Sequence, residues 1–308
     1  MPSAVVFAYH NVGVRCIKVL LSHGMDVALV VTHADNPDEN IWFDSVAELA
    51  ALHDIPVITP DDPNAPEIVA QIAAARPDFL FSFYYRHMLK KAVLDIPPRG
   101  AYNMHGSLLP KYRGRVPVNW AIIKGEKETG ATLHVMNEKP DNGAIVDRQA
   151  VPILPDDTAL EVFHKVTCAA ETALYRCLPG LLAGTAVPTP QDLSQGAYFG
   201  GRRAADGRID WSQSAQDIHN LIRAIAPPYP GAFSTLGGQE LKIFRSHIEH
   251  TLAPCTEGTA FYCENGRCYA RCGDGKVLRV LAFALDGSVR DAANFAAAHE
   301  GQVMALGE

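Results

Sequence analysis

The strongest constraint on the fold is an alternation of short apolar runs and amphipathic stretches across residues 4–83. Residues 4–9 (AVVFAY) are of strand type, and residues 14–23 place Val14, Ile17, Leu20 and Leu21 at helical spacing. Gly24 is positioned to end that helix. Residues 27–31 read as a second buried strand, and Asp44 is positioned to cap a helix over residues 45–53. A short strand at 56–58, a helix over 66–75 and a strand over 78–83 follow. This alternation predicts an α/β fold: a Rossmann-like, mostly parallel sheet with helices on both faces and right-handed crossovers. The first strand–helix turn, His10-Asn11-Val12-Gly13, holds a single glycine. The G-x-G-x-x-G dinucleotide fingerprint is absent, and no NAD site is predicted.

Further on, residues 100–105 lead into a loop that runs to Pro117, residues 131–136 read as a strand and residues 158–178 as a long helix. Residues 179–201, rich in Pro, Gly, Ser and Thr, read as an inter-domain linker. The texture then changes. A helix over 214–226 precedes short runs at 232–236, 241–245, 259–262, 268–271 and 277–284, broken by Gly and Asn. Strands at that spacing suggest a small antiparallel barrel.

The chain has 308 residues, 48% of them hydrophobic and 20% charged, so it can bury a core without disulfides or metals, and disorder is excluded. No run of 18 apolar residues is present, and the N-terminus lacks the marks of a secretory signal, so a cytoplasmic protein with no membrane partner is expected. The net charge of -7 argues against a nucleic-acid clamp. The seven cysteines are odd in number and suit reduced thiols. Cys255, Cys263, Cys268 and Cys272 lack the close pairs of a zinc site, and no metal is expected.

The chemistry is concentrated in residues 103–114, Asn-Met-His-Gly-Ser-Leu-Leu-Pro-Lys-Tyr-Arg-Gly, just after a strand. Ligands of open α/β sheets bind outside the carboxyl ends of strands. In an extended strand, Asn103 and His105 point to one face. Histidine moves protons near neutrality, and an asparagine amide can hold a developing oxyanion. Asp141, in the turn sequence Lys139-Pro140-Asp141-Asn142-Gly143, is the candidate to orient the imidazole. Each residue alone would also suit an ordinary turn or core histidine. Together they suit acyl or formyl transfer to an amine.

Asn-x-His-x-Ser-Leu-Leu-Pro followed by Tyr-Arg-Gly resembles the signature of the 10-formyltetrahydrofolate-dependent formyltransferase family, and the likeness runs over nearly the whole chain. The resemblance implies a folate-binding catalytic domain of the formyltransferase fold over residues 1–200. It implies an OB-like β-barrel subdomain over residues 201–308. Asn103, His105 and Asp141 would be catalytic, with 10-formyltetrahydrofolate as co-substrate. Folate contacts would fall on His87, Met88, Leu89, Arg115, Asn137, Glu138, Lys139 and Pro140. Lys111 and Arg113 complete a basic cluster with Arg115, suited to phosphate or to the folate tail.

Residues 6–10 (VFAYH), 32–37 (THADNP), 82–87 (SFYYRH) and 105–115 resemble the branch of the family that formylates UDP-4-amino-4-deoxy-L-arabinose in lipid A modification and polymyxin resistance. There, an NAD-dependent decarboxylase domain follows. Here no second glycine-rich fingerprint follows within the 308 residues, which leaves either a stand-alone formyltransferase, with any decarboxylase as a separate partner, or one part of a longer enzyme, and puts the coupled decarboxylase in doubt. Methionyl-tRNA, another nucleotide-linked amino sugar, and water (a 10-formyltetrahydrofolate hydrolase) remain alternative acceptors. Residues 33–45 carry Asp35, Asp38, Glu39 and Asp44 but no Lys or Arg, which favours a nucleotide sugar over tRNA. Arg202, Arg203, Arg223 and Tyr229 are the candidates for sugar-nucleotide contacts.

Overall fold

The computed structural model describes residues 1–37 and 39–307, so Asp38 of the acidic loop lies outside the described residues. The chain divides into two compact units. The first comprises Met1–Pro117, Glu128–Pro152 and His164–Gly200. Its strands are β1 (Ser3–Ala8), β2 (Asp26–Val31), β3 (Val57–Ile58), β4 (Phe79–Phe83), β5 (Ala101–His105), β6 (Arg113–Gly114), β7 (Glu128–Val135), β8 (Ile145–Pro152) and β9 (Tyr198–Phe199). Helices α1 (His10–Ser22), α2 (Val46–Leu52), α3 (Pro66–Ala74) and α4 (Lys91–Leu94) lie in it; α5 (Pro117–Ile123) and α6 (Ala159–Ala183) contribute residues to both units.

The main sheet runs β3-β2-β1-β4-β5-β7-β8, parallel as far as β5 and antiparallel at β7 and β8. It is the anticipated Rossmann-like sheet. Central strands of a parallel sheet are covered on both faces, which is why Ala4–Ala8 of β1 and all of β4 are buried. Phe7, Leu29, Val31, Ile72 and Leu80 anchor this core. Strand order reverses between β1 and β4, so the crevice beyond their carboxyl ends is the topological switch point.

Several local expectations change. The first turn is shorter than the sequence suggests: helix α1 begins at His10, directly after Tyr9. Gly13 therefore lies inside the helix, where a Cβ would meet Ala8 Cβ and Val46 Cγ2 at 3.0 Å. Its role is close helix–strand approach. Gly24, with φ of +71°, follows the C-cap of α1 as expected. Ser45, not Asp44, caps α2, because its hydroxyl accepts from the Glu48 amide, whereas the Asp44 amide donates to Asn11. Helix α6 continues through Pro179 to Ala183, its last turns held by buried Leu178 and Leu181. Nor are residues 184–200 a free linker. They return to the first unit, where β9 pairs with β6.

The second unit comprises Val118–Lys127, Ile153–Phe163 and the chain from Gly201. Helix α7 (Ala215–Ala224) is capped by the Ser214 hydroxyl. Strands β10 (Ala232–Leu236), β11 (Gln239–Glu249), β12 (Ala260–Glu264), β13 (Arg267–Arg271), β14 (Val277–Leu285), β15 (Ser288–Arg290), β16 (Val303–Met304) and β17 (Leu306–Gly307), with helix α8 (Ala292–Ala298), complete it. The antiparallel order is β16-β12-β13-β14-β11-β10-β17, with β15 on β14. Only Ala305 separates β16 from β17, so one extended segment pairs with β12 on one side and β10 on the other. The sheet thereby closes into the expected small barrel.

Cys263, Cys268 and Cys272 are buried free thiols, and burial pushes the latter two up to about 12. Among the described residues, no group of three or more His, Cys, Asp or Glu is arranged to hold a metal ion. No helix among them is long and apolar enough to cross a membrane.

Candidate active site

The register of β5 against β7 builds the site. Asn103 lies opposite His134, and His105 opposite Thr132. Asp141 arrives from the turn joining β7 to β8. His105 Nδ1 is 3.5 Å and His134 Nε2 3.6 Å from the same oxygen, Asp141 Oδ1. The other carboxylate oxygen accepts from the Gly114 amide at 2.8 Å. His105 and His134 are buried, and the Asp141 side chain is 13% exposed. Burial works against the charge on Asp141. His105, His134 and the Gly114 amide together outweigh it and hold the carboxyl well below its ordinary value. Asp141 is therefore an anion placed between two imidazoles.

His134 Nδ1 donates to the Val135 carbonyl at 2.9 Å, which turns Nε2 toward the Asn103 amide nitrogen, 3.2 Å away. His105 Nε2 donates to the Tyr112 carbonyl at 2.8 Å. The loop after His105 is fixed from below by Thr132, whose hydroxyl donates to the Ser107 carbonyl and accepts from the Leu109 amide. The Ser107 hydroxyl donates to the Lys111 carbonyl. The three residues expected to act together are thus brought together, and His134 joins them. Sequence reading missed it because its place depends on cross-strand register. The available signal was Thr132 and His134, polar residues alternating within the strand ATLHVM.

The other expected positions are spread more widely. Met88 is 53% exposed and His87 is exposed, whereas Leu89 is buried in the core. Residues 137–140 form an exposed turn in which Asn137 Oδ1 accepts from the Lys139 amide. Lys111 and Arg115 are exposed, the Arg115 amide donating to Phe199. Arg113 donates to the Gly196 carbonyl.

Arg202, Arg203, Arg223 and Tyr229 belong to the second unit. Arg202 lies over the Trp120 ring and donates to the Asp206 carbonyl. Arg203 is exposed. Arg223 is buried, its guanidinium engaged by Asn220 Oδ1 and the Leu154 and Asp157 carbonyls. Burial raises the Tyr229 hydroxyl, and an Asn119 hydrogen bond partly offsets it.

Aromatic rings cluster just beyond the carboxyl ends of β1, β2 and β4. His10 stacks on Phe43 at 3.9 Å, with Trp42 edge-on at 4.5 Å. His33 stacks on Tyr85 at 4.2 Å, and Tyr9 packs edge-on against His33 and Phe43. Tyr84 carries this shelf up to the loop after His105, since a Cβ on Gly106 would lie 1.8 Å from its hydroxyl. The acidic loop is partly neutralised: Arg86 grips Glu39 through two hydrogen bonds, and Asp35 accepts from Tyr9.

Burial, helped by Arg86 and His164, drops His10 to about 3; burial, helped by His87 and Arg86, drops His33 to about 4. Unfolded histidines take up protons near 6.5, and these folded ones do so only at lower pH. The unfolded chain therefore binds more protons below 6.5, and stability falls as pH falls toward 4. His10→Phe should reduce that loss. Melting curves at about pH 7 and about pH 5 should show a smaller drop in Tm for the variant than for the parent. Equal drops would remove His10 as a source of acid sensitivity.

Residues 7–178 match the family model described as formyl transferase, and residues 202–300 match that of the formyl transferase C-terminal domain. The chain belongs to the formyl transferase family. Solved structures share its fold. An N-formyltransferase from Helicobacter canadensis in complex with folinic acid and dTDP-3-aminofucose superposes with a TM-score of 0.69 at 21% identity, over 91% of this chain and 99% of that one. A sugar N-formyltransferase from a Shewanella species gives 0.62 at 21% identity, over 79% and 96%. HypX from Aquifex aeolicus in complex with tetrahydrofolic acid gives 0.60 at 18% identity, over 91% of this chain and 43% of that one.

Proposed function

We propose that this enzyme transfers a formyl group from 10-formyltetrahydrofolate to the amine of a nucleotide-linked amino sugar, with UDP-4-amino-4-deoxy-L-arabinose as its acceptor. The observation that carries the reading is the convergence of half-buried Asn103 and buried His105 with the ionised Asp141 beside one loop. The folate supplies the formyl carbon. The attacking amine must shed a proton; with Nε2–H held by the Tyr112 carbonyl, His105 takes it at Nδ1, the edge facing Asp141, and passes it on toward the departing nitrogen. Oxygen charge develops at the formyl group, and Asn103 donates to it. The amide nitrogen carries two hydrogens, so one meets His134 while the other serves the oxyanion.

The folate contacts proposed are His87 to Leu89, Arg115 and residues 137–140. Exposed Met88 and exposed Arg115 fit an apolar ring system and an anionic tail. Two features support a base-bearing acceptor. The aromatic shelf lies beyond the carboxyl ends of β1, β2 and β4, where α/β sheets bind ligands, and flat rings suit stacking. The relatives described above include one bound to a dTDP-linked amino sugar. The pyrophosphate contacts of Arg202 and Arg203, the contacts of Arg223 and Tyr229, and a separate decarboxylase partner are part of the same proposal.

The test follows tetrahydrofolate release with UDP-4-amino-4-deoxy-L-arabinose, a dTDP-linked amino sugar, methionyl-tRNA, or no acceptor. Turnover is expected with the UDP sugar alone. Turnover with tRNA alone, or equal release without acceptor, would overturn the reading in favour of a tRNA enzyme or a hydrolase. Turnover with the dTDP sugar alone would replace the nucleotide while keeping the reaction.

A further inference from the structure

The turn that delivers Asp141 is held by a side chain outside the reacting group. Asp141 has φ of +54°, a left-handed conformation that aspartate adopts more readily than most non-glycine residues but that still costs backbone energy, so a partner that holds it there matters. Lys139-Pro140-Asp141-Asn142-Gly143 is a turn sequence in which aspartate tolerates that conformation. A further restraint on its backbone comes from the segment after α6. Thr189 and Ile145 exchange both backbone hydrogen bonds, at 2.7 and 2.8 Å, as an antiparallel bridge. In that register, two residues onward on one strand faces two residues back on the other, so Gln191 comes opposite Gly143. Gln191 Nε2 donates to the Gly143 carbonyl at 2.7 Å and to the Asp141 carbonyl at 3.1 Å. Both its amide hydrogens are thereby used. Among the described residues its buried Oε1 has no hydrogen-bond partner, so burial of this amide is compensated on the donor side.

We propose that Gln191 is a positioning residue. By clamping the carbonyls of Asp141 and Gly143, it fixes the left-handed turn and so keeps the Asp141 carboxylate between His105 and His134. It touches neither substrate, and its effect passes entirely through Asp141. This inference rests on the catalytic reading of Asp141 given above.

Gln191→Met keeps the length of the side chain and removes both donors. Its kcat should fall about 10–100-fold, the range for outer residues that orient an acting group, with KM for the folate within about 3-fold. Asp141→Asn sets the reference. If Gln191 acts through Asp141, the double variant should lie within about 2-fold of Asp141→Asn alone. An additive loss would mean a general structural role and would overturn the proposal.

A second readout needs no substrate. With ring-15N-labelled histidine, the His105 and His134 nitrogen signals of Gln191→Met should move from their parental positions toward those of Asp141→Asn. Parental signals in Gln191→Met would overturn the proposal. A parent enzyme that formylates no amine would overturn the functional reading instead, while the imidazole spectra still decide the role of Gln191.

Discussion

Replacing His105 with alanine is expected to lower kcat by about 10²–10⁴-fold, the usual worth of positioned acid–base help, with little change in KM for the folate. The buried imidazole faces an oxygen acceptor at each nitrogen, the Asp141 carboxylate and the Tyr112 carbonyl. A proton can thus be held at either edge of the ring while Asp141 stays anionic. His134 also lies against Asp141, with Nε2 3.6 Å from the same carboxylate oxygen, but that nitrogen accepts from Asn103 while Nδ1 donates to Val135. Asn103→Ala should cost about 2.7–4 kcal/mol of barrier, the range for one lost oxyanion donor. Single-turnover rates separate these effects from product release. A His105→Ala enzyme within about threefold of the parent rate would remove the histidine from the chemistry.

The second large effect is expected from Gly143→Ala. A Cβ there would sit 1.8 Å from the Val135 carbonyl oxygen and 2.8 Å from its carbon, both backbone atoms with no side chain to swing aside. Either β7 or the turn must move. Overpacking of this kind destabilises by roughly 1–3 kcal/mol, and displacement of Asp141 adds a loss of turnover. The variant should melt lower than the parent and show activity reduced at least as far as in Asp141→Asn. Parental Tm and kcat together would mean that the turn accommodates the methyl group, and that the close approach at Gly143 is not needed to place Asp141.

Much of this was legible in the sequence. The strands from β1 to β4 are local apolar runs rich in β-branched and aromatic residues, and helix α7 carries its own serine cap. Asn103 and His105 were paired by strand alternation, a local rule. What stayed hidden depends on partners distant in the chain. Strand β8 reads IVDRQAVP and alternates between half-buried and exposed positions at the sheet edge, so it offers no apolar run to recognise. His134 needed the register between β5 and β7. Residues 184–200 have linker composition, yet β9 and Gln191 are fixed by hydrogen bonds to residues about 50 or more positions earlier. Pro179 suggested a helix end, and buried leucines on either side carried the helix past it.

The barrel closes through residues 303–307, and that sets an order of events during synthesis. The first unit is complete in sequence once Gly200 has been made. The second presents the edges of β10 and β12 unpaired until residues 303–307, which join them, have been made. At roughly 5–20 residues per second, those edges stay open for several seconds or longer. Shielding them in that interval falls to whatever meets the nascent chain.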